Sequence, residues 1–175
     1  MKPKKHIHNI VLSALFAAII ALLSQISIQT PFGVPITLQT FAIAFCGYFL
    51  GAKWASLSVV AYIFTGAVGL PVFSQFNGGI GVLFGLSGGY IIGFLFLSLF
   101  CGFCRKSKNV FKNIGFSASG LILCHLIGIL WILFMSKGDM LSSFAAGSFI
   151  FVLKDIISLT LAYFSSKTIL KRIKI

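Results

Sequence analysis

The sequence predicts an all-α integral membrane protein with six transmembrane helices, and composition and patterning carry that prediction. Of the 175 residues, 58% are hydrophobic and only 9% are charged. The apolar residues fall into six runs separated by short segments rich in glycine, proline or basic side chains. Because no polar stretch is long enough for a soluble domain, we expect residues 1–175 to form a single transmembrane domain.

A helix needs about 20 apolar residues to cross a bilayer, with a usable range of about 17–25. The predicted spans cover, in order, residues 7–28, 37–50, 54–70, 90–104, 111–135 and 149–170. The second and third are short for full crossings, so we expect them to begin or end in irregular segments lined by protein. The basic N-terminus resembles that of a signal peptide, but no small-x-small site closes the first run, so we expect an uncleaved helix.

The basic residues predict the orientation of these spans. With six crossings and both termini in the cytoplasm, twelve basic residues lie inside: Lys2, Lys4, Lys5, Lys53, Arg105, Lys106, Lys108, Lys112, Lys167, Lys171, Arg172 and Lys174. Only Lys137 falls in an outer loop, and Lys154 lies in or near the membrane. This asymmetry follows the positive-inside rule for a multi-pass membrane protein, and an odd number of spans would break it.

Several function classes are excluded by what the chain lacks. The net charge of +12 would suggest a nucleic-acid partner in a soluble protein, but the basic residues here separate apolar runs, so we exclude nucleic acid. The glycine-rich segment 78–85 lacks the Lys-Ser/Thr pair of an ATP-binding loop. Cys101 and Cys104 have no second cysteine pair, and His125 stands alone, so we expect no metal site. With no catalytic constellation, we expect neither an enzyme nor a resident cofactor.

Asp155 is the residue that we expect to be functional. The chain contains two acidic residues, Asp139 and Asp155, and no glutamate. A carboxylate at bilayer depth costs about 2.5–3.5 kcal/mol, so it usually faces a cavity or a partner. The predicted topology places Asp155 near the outer start of the last helix, beside the uncharged segments 30–36 and 71–89. We therefore expect a ligand pocket that opens to the outside.

Small residues form a stripe along the first predicted helix. The pairs Ala14/Ala18 and Ala17/Ala21 are each four residues apart and share a helix face. In lipid such stripes let another helix approach closely. The stripe packs either against the chain's own helices or against another membrane subunit.

The order of several motifs resembles that of a known family. These are Val34-Pro-Ile-Thr-Leu-Gln39, Gly69-Leu-Pro-Val-Phe73, Gly78-Gly-Ile-Gly81 and Gly85-Leu-Ser-Gly-Gly-Tyr-Ile-Ile-Gly-Phe94. Together they resemble BioY, the biotin-binding S component of energy-coupling-factor transporters, over essentially the whole chain. The resemblance implies that residues 1–175 form a single transmembrane substrate-binding domain with six helices in the bacterial inner membrane. It implies biotin uptake from the outside, and work with a transmembrane coupling subunit and a pair of cytoplasmic ATPases. It also implies that the alanine stripe contacts the coupling subunit.

The resemblance implies specific roles around the ureido ring of biotin. Asp155 accepts hydrogen bonds from its N–H groups, and Asn77 both donates and accepts. The family's last-helix motif usually has a lysine where this chain has Ser158, and Lys154 is a substitute only if it points toward the pocket. Since a position next to Asp155 lies about 100° around a helix, we expect Lys154 to point away from the pocket. Lys154 and Ser158 are both kept as candidate substrate-binding residues.

The remainder of biotin needs apolar walls and an anion site. Phe73, Phe76 and Tyr90 are expected to enclose its ring and stem. Ser87 and the Gly88–Gly89 amides are expected to hold its carboxylate. Thr37 and Gln39 either line the pocket rim or cap the second helix.

Two alternatives remain open from the sequence. Because Ser158 stands where the family usually has a lysine, the chain is also compatible with an S component for another vitamin. Competition by other vitamins would reveal this. A stand-alone facilitator is the second alternative, favoured if the chain alone moves substrate into liposomes. In each case biotin or its equivalent is a transported ligand and not a cofactor.

Overall fold

The computed structural model is almost entirely helical and describes residues 3–31, 33–136 and 141–173, with side chains placed from residue 6 and, after the second gap, from residue 151. Its α-helices are α1 (Pro3–Ser24), α2 (Gln39–Leu50), α3 (Ala52–Ala67), α4 (Ile80–Leu83), α5 (Gly88–Phe103), α6 (Val110–Met135) and α7 (Leu141–Ile173). Two short strands, β1 (Ser27–Ile28) and β2 (Ile36–Thr37), and one 3₁₀ turn (Ser74–Phe76) complete the described elements. The predicted positions of Lys2, Lys137, Asp139 and Lys174 lie outside the described residues.

The six predicted spans correspond to α1, α2, α3, α5, α6 and α7, so the all-helical class is confirmed. Among the described residues, α1 from His6 onward and α6 are long and apolar enough to cross a bilayer by themselves. The helices α2 and α5 are also apolar but shorter. The number of crossings and the orientation of the termini stay predictions.

The first predicted boundary is wrong because polar residues end α1 early. The helix ends at Ser24 and not at residue 28, and Ser27–Ile28 pairs with Ile36–Thr37 as an antiparallel ribbon. Pairing satisfies backbone groups that the intervening proline-containing loop leaves outside any helix. Thr37 consequently lies in a strand and not in the second helix.

The last predicted boundary is wrong by eight residues. The helix α7 begins at Leu141, not at residue 149, and its 33 residues measure about 50 Å. Hydropathy misses this first part because residues 141–148 are mostly small or polar, which a helix tolerates. Asp155 therefore lies about 21 Å from the start of α7, deeper in the bundle than its predicted place.

The helix α2 forms the centre of the bundle, packing on α3, α5 and α7. Glycines allow the closest approaches: a Cβ on Gly102 would lie 2.2 Å from the Ala52 nitrogen, and one on Gly47 would lie 2.7 Å from Cys101 Cβ. The four cysteines are free and buried, so among the described residues they serve as small packing side chains. In contrast, α6 packs extensively on α5 and scarcely on α7.

One end of the bundle carries the basic loops, and we call it the basic end. Arg105 Nη1 donates to the Leu50 carbonyl oxygen at 2.6 Å, which brings the α5–α6 loop against the α2–α3 loop. Gly51 makes that tight loop with φ of +84°, a value that favours glycine. Lys53 and Arg105 thereby lie at the same end of the molecule.

Candidate functional site

A cavity lies at the end of the bundle opposite the basic end. It has an empty volume of about 560 Å³, including the space open to solvent. The segment before α2, the loop after α3, the start of α5 and the inner faces of α6 and α7 form its walls. Seven of the nine residues predicted to bind ligand line it: Thr37, Gln39, Phe73, Ser87, Tyr90, Lys154 and Asp155. The structure brings these residues together, and their binding role stays a prediction.

Asp155 lies at the centre of a buried ion-paired cluster. One carboxylate oxygen, Oδ1, forms a salt bridge with the Lys154 ammonium. The other, Oδ2, lies 3.0 Å from His125 Nε2. Only 6% of Asp155 is exposed, so without these partners its charge would be strongly disfavoured. The bundle thus holds a carboxylate in place without help from bulk water.

Lys154 makes three polar contacts inside the chain. Besides the salt bridge, Nζ donates to the Thr37 carbonyl oxygen at 3.1 Å and to Thr40 Oγ1 at 3.3 Å. The expectation that it points away from the pocket is wrong, because its four-carbon stem is long enough to bend back toward the cavity. Lys154 therefore connects α7 to the start of α2 across the cavity.

His125 is the residue that sequence reasoning missed. The interpretation that it stands alone is wrong: it is 8% exposed and pairs with Asp155 across the α6–α7 boundary. Its ring also meets Tyr90 edge to face, with centroids 5.6 Å apart. Thirty residues separate His125 from Asp155, so no local pattern signals the contact. The coincidence of an isolated histidine and an isolated carboxylate within apolar spans is the one available hint.

Thr37 and Gln39 line the cavity, and hydrogen bonds join them at the start of α2. Thr37 Oγ1 accepts from the Gln39 backbone N–H at 3.2 Å. The alternative capping role is not observed, because the N-cap residue of α2 is Leu38 and no side chain caps it. Thr37 also donates to Gln39 Oε1 at 3.0 Å, and Gln39 Nε2 donates to the Tyr62 hydroxyl at 2.7 Å. All three side chains are buried, so this chain of hydrogen bonds fixes the polar wall of the cavity.

Phe73 forms an apolar wall of the cavity, and Gly66 leaves the space that its ring occupies. The side chain is 1% exposed, and its ring meets Tyr62 edge to face at 5.5 Å. A Cβ on Gly66 would lie 2.2 Å from Phe73 Cζ, so a larger residue there would displace the ring. Tyr90 is held in a similar way by Gly128 on α6.

The loop that carries Phe73 is fastened to the end of α1 by Gln25. Gln25 Nε2 donates to the carbonyl oxygens of Val72 and Phe73 at 3.2 and 3.1 Å, and its Oε1 accepts from Phe76 N–H at 2.8 Å. Ser24 Oγ donates to Val72 O as well. Gln25 is the second residue missed from sequence, since a single glutamine at a helix end has no distinctive signal.

Three predicted contributors lie outside the cavity. Phe76 is 71% exposed, so the expectation that it forms a wall is wrong. Asn77 is exposed as well, and its side chain donates to Ser74 O at 3.0 Å, while its carbonyl oxygen accepts from Phe73 N–H. Ser158 is buried but is not among the residues that line the cavity. Asn77 shapes the turn after Phe73 and does not itself reach the interior.

Ser87 begins α5 at the mouth of the cavity. Ser87 is half-buried, and the Gly88 amide already donates to the Gly85 carbonyl oxygen at 3.1 Å. Gly89 lies against α6, where a Cβ would be 2.3 Å from Trp131 Cβ. Trp131 in turn donates to Gly85 O at 2.9 Å, which fixes the loop. The first turn of a helix favours anions, so this wall suits a carboxylate.

The alanine stripe divides between two environments. Ala17 and Ala21 are partly buried and pack against the chain's own core. Ala14 and Ala18 are exposed on the outer face of α1. Of the two predicted interpretations, internal packing describes the first pair, and the second pair remains available to a partner.

Comparisons with known proteins point to one family. The model of the BioY family matches residues 1–175. The chain is 35% identical over 156 residues to the biotin transporter BioY of Thermotoga maritima, covering 88% of this chain and 90% of that protein. It is 34% identical over 154 residues to the biotin transporter BioY2 of Lactococcus lactis, covering 86% and 84%. A crystal structure of the S-component for biotin from an ECF-type ABC transporter superposes with a TM-score of 0.87 at 30% identity, covering 98% of this chain and 95% of that one.

Proposed function

The chain belongs to the BioY family, and from that membership we propose that it is the S component that captures biotin outside a bacterial cell and delivers it across the inner membrane. Its family consists of transport proteins and not enzymes. In this proposal residues 1–175 act as one membrane domain, and biotin is the cargo and not a cofactor.

The observation that carries the proposal is the Lys154–Asp155–His125 cluster in the wall of a cavity. A carboxylate has about four lone-pair sites, and two are engaged by His125 and Lys154. The ureido ring of biotin offers two N–H donors for the remaining sites, and its carbonyl oxygen competes with the Thr37 and Thr40 acceptors for the Lys154 ammonium. Each such bond to a charged group contributes about 1.5–3 kcal/mol.

The other walls suit the remaining parts of biotin. Phe73 and Tyr90 present aromatic faces and edges to the sulfur-containing ring and the aliphatic stem. The carboxylate at the end of the stem then meets the Ser87 hydroxyl and the Gly89 amide at the first turn of α5. Asn77 has no role in this arrangement, because its side chain lies outside the cavity.

The proposed topology has six crossings with both termini in the cytoplasm. Its support is that the described basic loops meet at one end of the bundle and the cavity lies at the other. The positive-inside rule then directs the cavity outward, where biotin enters.

The proposed energy source is an ATP-driven module of separate subunits. Support comes from the related S-component, which belongs to an ECF-type ABC transporter, and from the lack of an ATP-binding loop in this sequence. A transmembrane coupling subunit with a pair of cytoplasmic ATPases would then contact the exposed face of α1 at Ala14 and Ala18.

The test is a biotin titration of the detergent-purified chain, with Asp155→Asn and Asn77→Ala beside it. We expect saturable binding by the parent, a loss of about 10- to 100-fold in Asp155→Asn, and a change below about twofold in Asn77→Ala. A folded parent that binds no biotin would overturn the proposal. Equal binding by parent and Asp155→Asn would keep the function and remove Asp155 from the site.

A second candidate, an S component for another vitamin, is favoured by the cation arrangement. The family's usual lysine is Ser158 here, and the cavity's cation comes instead from Lys154. A panel of unlabelled vitamins competing against labelled biotin separates the two candidates. Displacement by a different vitamin at lower concentration than biotin would favour the second.

A further inference from the structure

A second concavity, the α6–α7 groove, lies on the outside of the bundle between those two helices. It has an empty volume of about 1170 Å³, including open space. The lining is mostly apolar and comes from Tyr48, Val110, Asn113, Ile114, Ser117, Ala118, Leu121, Ile122, Val152, Ile156, Leu159, Thr160, Tyr163 and Phe164. None of these residues lines the cavity described above.

The length of the groove matches one leaflet of a membrane. Along α6 it runs from Val110 to Ile122, which is about 18 Å of helix. Half of a bilayer's hydrocarbon core is about 15 Å. An extended acyl chain of ordinary length therefore fills the groove from end to end. An unfilled groove would forfeit the dispersion contacts of its lining.

Positive charge is concentrated at one end of the groove, the basic end of the bundle. Lys112 projects from the first turn of α6, with Nζ 5.8 Å from the centre of the Phe116 ring. Lys167 follows Tyr163 by one turn of α7, with Nζ 5.5 Å from that ring. Lys106 and Lys108 lie in the loop that precedes α6 and are exposed. An anionic group is favoured here and a zwitterionic one is not.

Asn113 adds an unpaired hydrogen-bond acceptor at the same end. It is 3% exposed, and its Nδ2 donates to Ser107 O at 3.3 Å and to the Tyr163 hydroxyl at 3.2 Å. Since Ser107 O only accepts, these bonds define which side-chain atom is oxygen. That oxygen, Oδ1, accepts no hydrogen bond within the described part of the chain. Oδ1 is enclosed by the chain itself, so the neighbouring Tyr163 hydroxyl, which lines the groove, is a polar group there that a ligand can contact.

We propose that the α6–α7 groove is a binding site for an anionic glycerophospholipid. One acyl chain lies along the apolar lining, and the phosphate lies at the basic end beside Lys167, whose ammonium stands over the ring of the groove residue Tyr163. The Tyr163 hydroxyl, which already accepts from Asn113, donates its own proton to a lipid oxygen. The proposal requires a membrane location but not biotin binding.

The test measures lipid retention by native mass spectrometry, using nanodiscs that contain equal amounts of phosphatidylglycerol and phosphatidylcholine. Lys167→Gln is compared with Lys53→Gln, because Lys53 lies at the same end and likewise has its Nζ 5.4 Å from an aromatic ring, that of Trp54. We expect the parent to prefer phosphatidylglycerol by at least fivefold. Lys167→Gln should lower that preference about fivefold, and Lys53→Gln by less than twofold.

A second variant blocks the groove itself. Ala118→Trp places a large side chain on an exposed groove position and should reduce the binding of both lipids at least fivefold. A biotin titration of each variant reports whether the bundle is intact, and we expect it to be unchanged. Loss of biotin binding alone would concern the proposed transport function and not the groove.

Several results would overturn the lipid site. These are the absence of a phosphatidylglycerol preference in the parent, equal effects of Lys167→Gln and Lys53→Gln, or undiminished lipid retention by Ala118→Trp. A lipid-free dimer that Ala118→Trp dissociates would assign the groove to a second copy of the chain instead.

Discussion

The cavity and the α6–α7 groove are both concave surfaces of a membrane protein, but their charged groups are arranged in opposite ways. In the cavity the charged groups are buried and pair with each other, as Lys154, Asp155 and His125 show. In the groove the lining is apolar, the lysines lie at the rim, and one buried oxygen stays unpaired. Buried charges require partners from the chain because no bulk water is present, whereas an apolar groove can be completed by lipid.

The difference also appears in what holds each region together. The cavity is bounded by a loop that Gln25 fastens with three hydrogen bonds, and by helix ends that approach through glycines. Along the groove α6 and α7 scarcely touch, and the hydrogen bond from Asn113 to the Tyr163 hydroxyl joins them near the basic end. Changes in the cavity should therefore alter the binding of a polar ligand strongly, and changes in the groove should leave that binding unaltered.

The largest effect is expected for Lys154→Met. It removes the cation from a buried carboxylate, which typically costs about 3–5 kcal/mol, so biotin affinity should fall at least 100-fold and the unfolding temperature should drop. Titration and thermal unfolding measure both. Lys171→Met, at an exposed position on the same helix, should change neither.

The double variant Lys154→Met/Asp155→Asn sharpens this prediction. Removing the carboxylate as well should restore the unfolding temperature without restoring biotin affinity, because the ligand then has no charged partner. If the double variant remains as unstable as Lys154→Met, an uncompensated charge is not the cause.

Next in size is His125→Ala, for which we expect a loss of about 10- to 30-fold in biotin affinity. The change removes a hydrogen bond to the carboxylate and an edge-to-face contact with Tyr90. His125→Gln retains a donor near Asp155 and should recover most of the affinity in the same titration. Equal losses in the two variants would show that shape, and not the hydrogen bond, is what His125 contributes.

Gln25→Ala tests the loop that carries Phe73 and should act mainly on kinetics. We expect faster hydrogen exchange of the amides at 72–77 and faster biotin dissociation, about 10-fold, because the loop loses its three bonds. Gln29→Ala is the matched control, since that side chain makes one exposed hydrogen bond to Gln75 at 3.0 Å. Similar exchange in both variants would show that Gln25 does not hold the loop.

The smallest effect is expected for Ser158→Ala. Its hydroxyl does not line the cavity, so biotin affinity in the titration should stay within about twofold of the parent. A loss above 10-fold would mean that α7 rotates to bring Ser158 to the ligand. Ser158, the position of the family's usual lysine, would then line the cavity.

Much of the fold was predictable because hydrophobic length decides helix existence in a membrane. Six apolar runs became six helices, and α2 and α6 have nearly their predicted limits. The failures lie at the ends of α1 and α7, where polar or small residues continue or stop a helix for reasons that hydropathy does not measure. Ser27 and Thr37 show the same limit, since pairing across a proline-containing loop is a tertiary event.

The sequence by itself determined the helical class, the basic end of the bundle and the identity of Asp155 as an exceptional residue, because a carboxylate among apolar spans is costly wherever it lies. Only the tertiary structure decided its partners. His125 and Gln25 act over separations of 30 residues or more, and the direction of Lys154 depends on acceptors at Thr37 and Thr40. Which polar groups meet is decided by helix packing, since each must find its partner inside the bundle where water is absent.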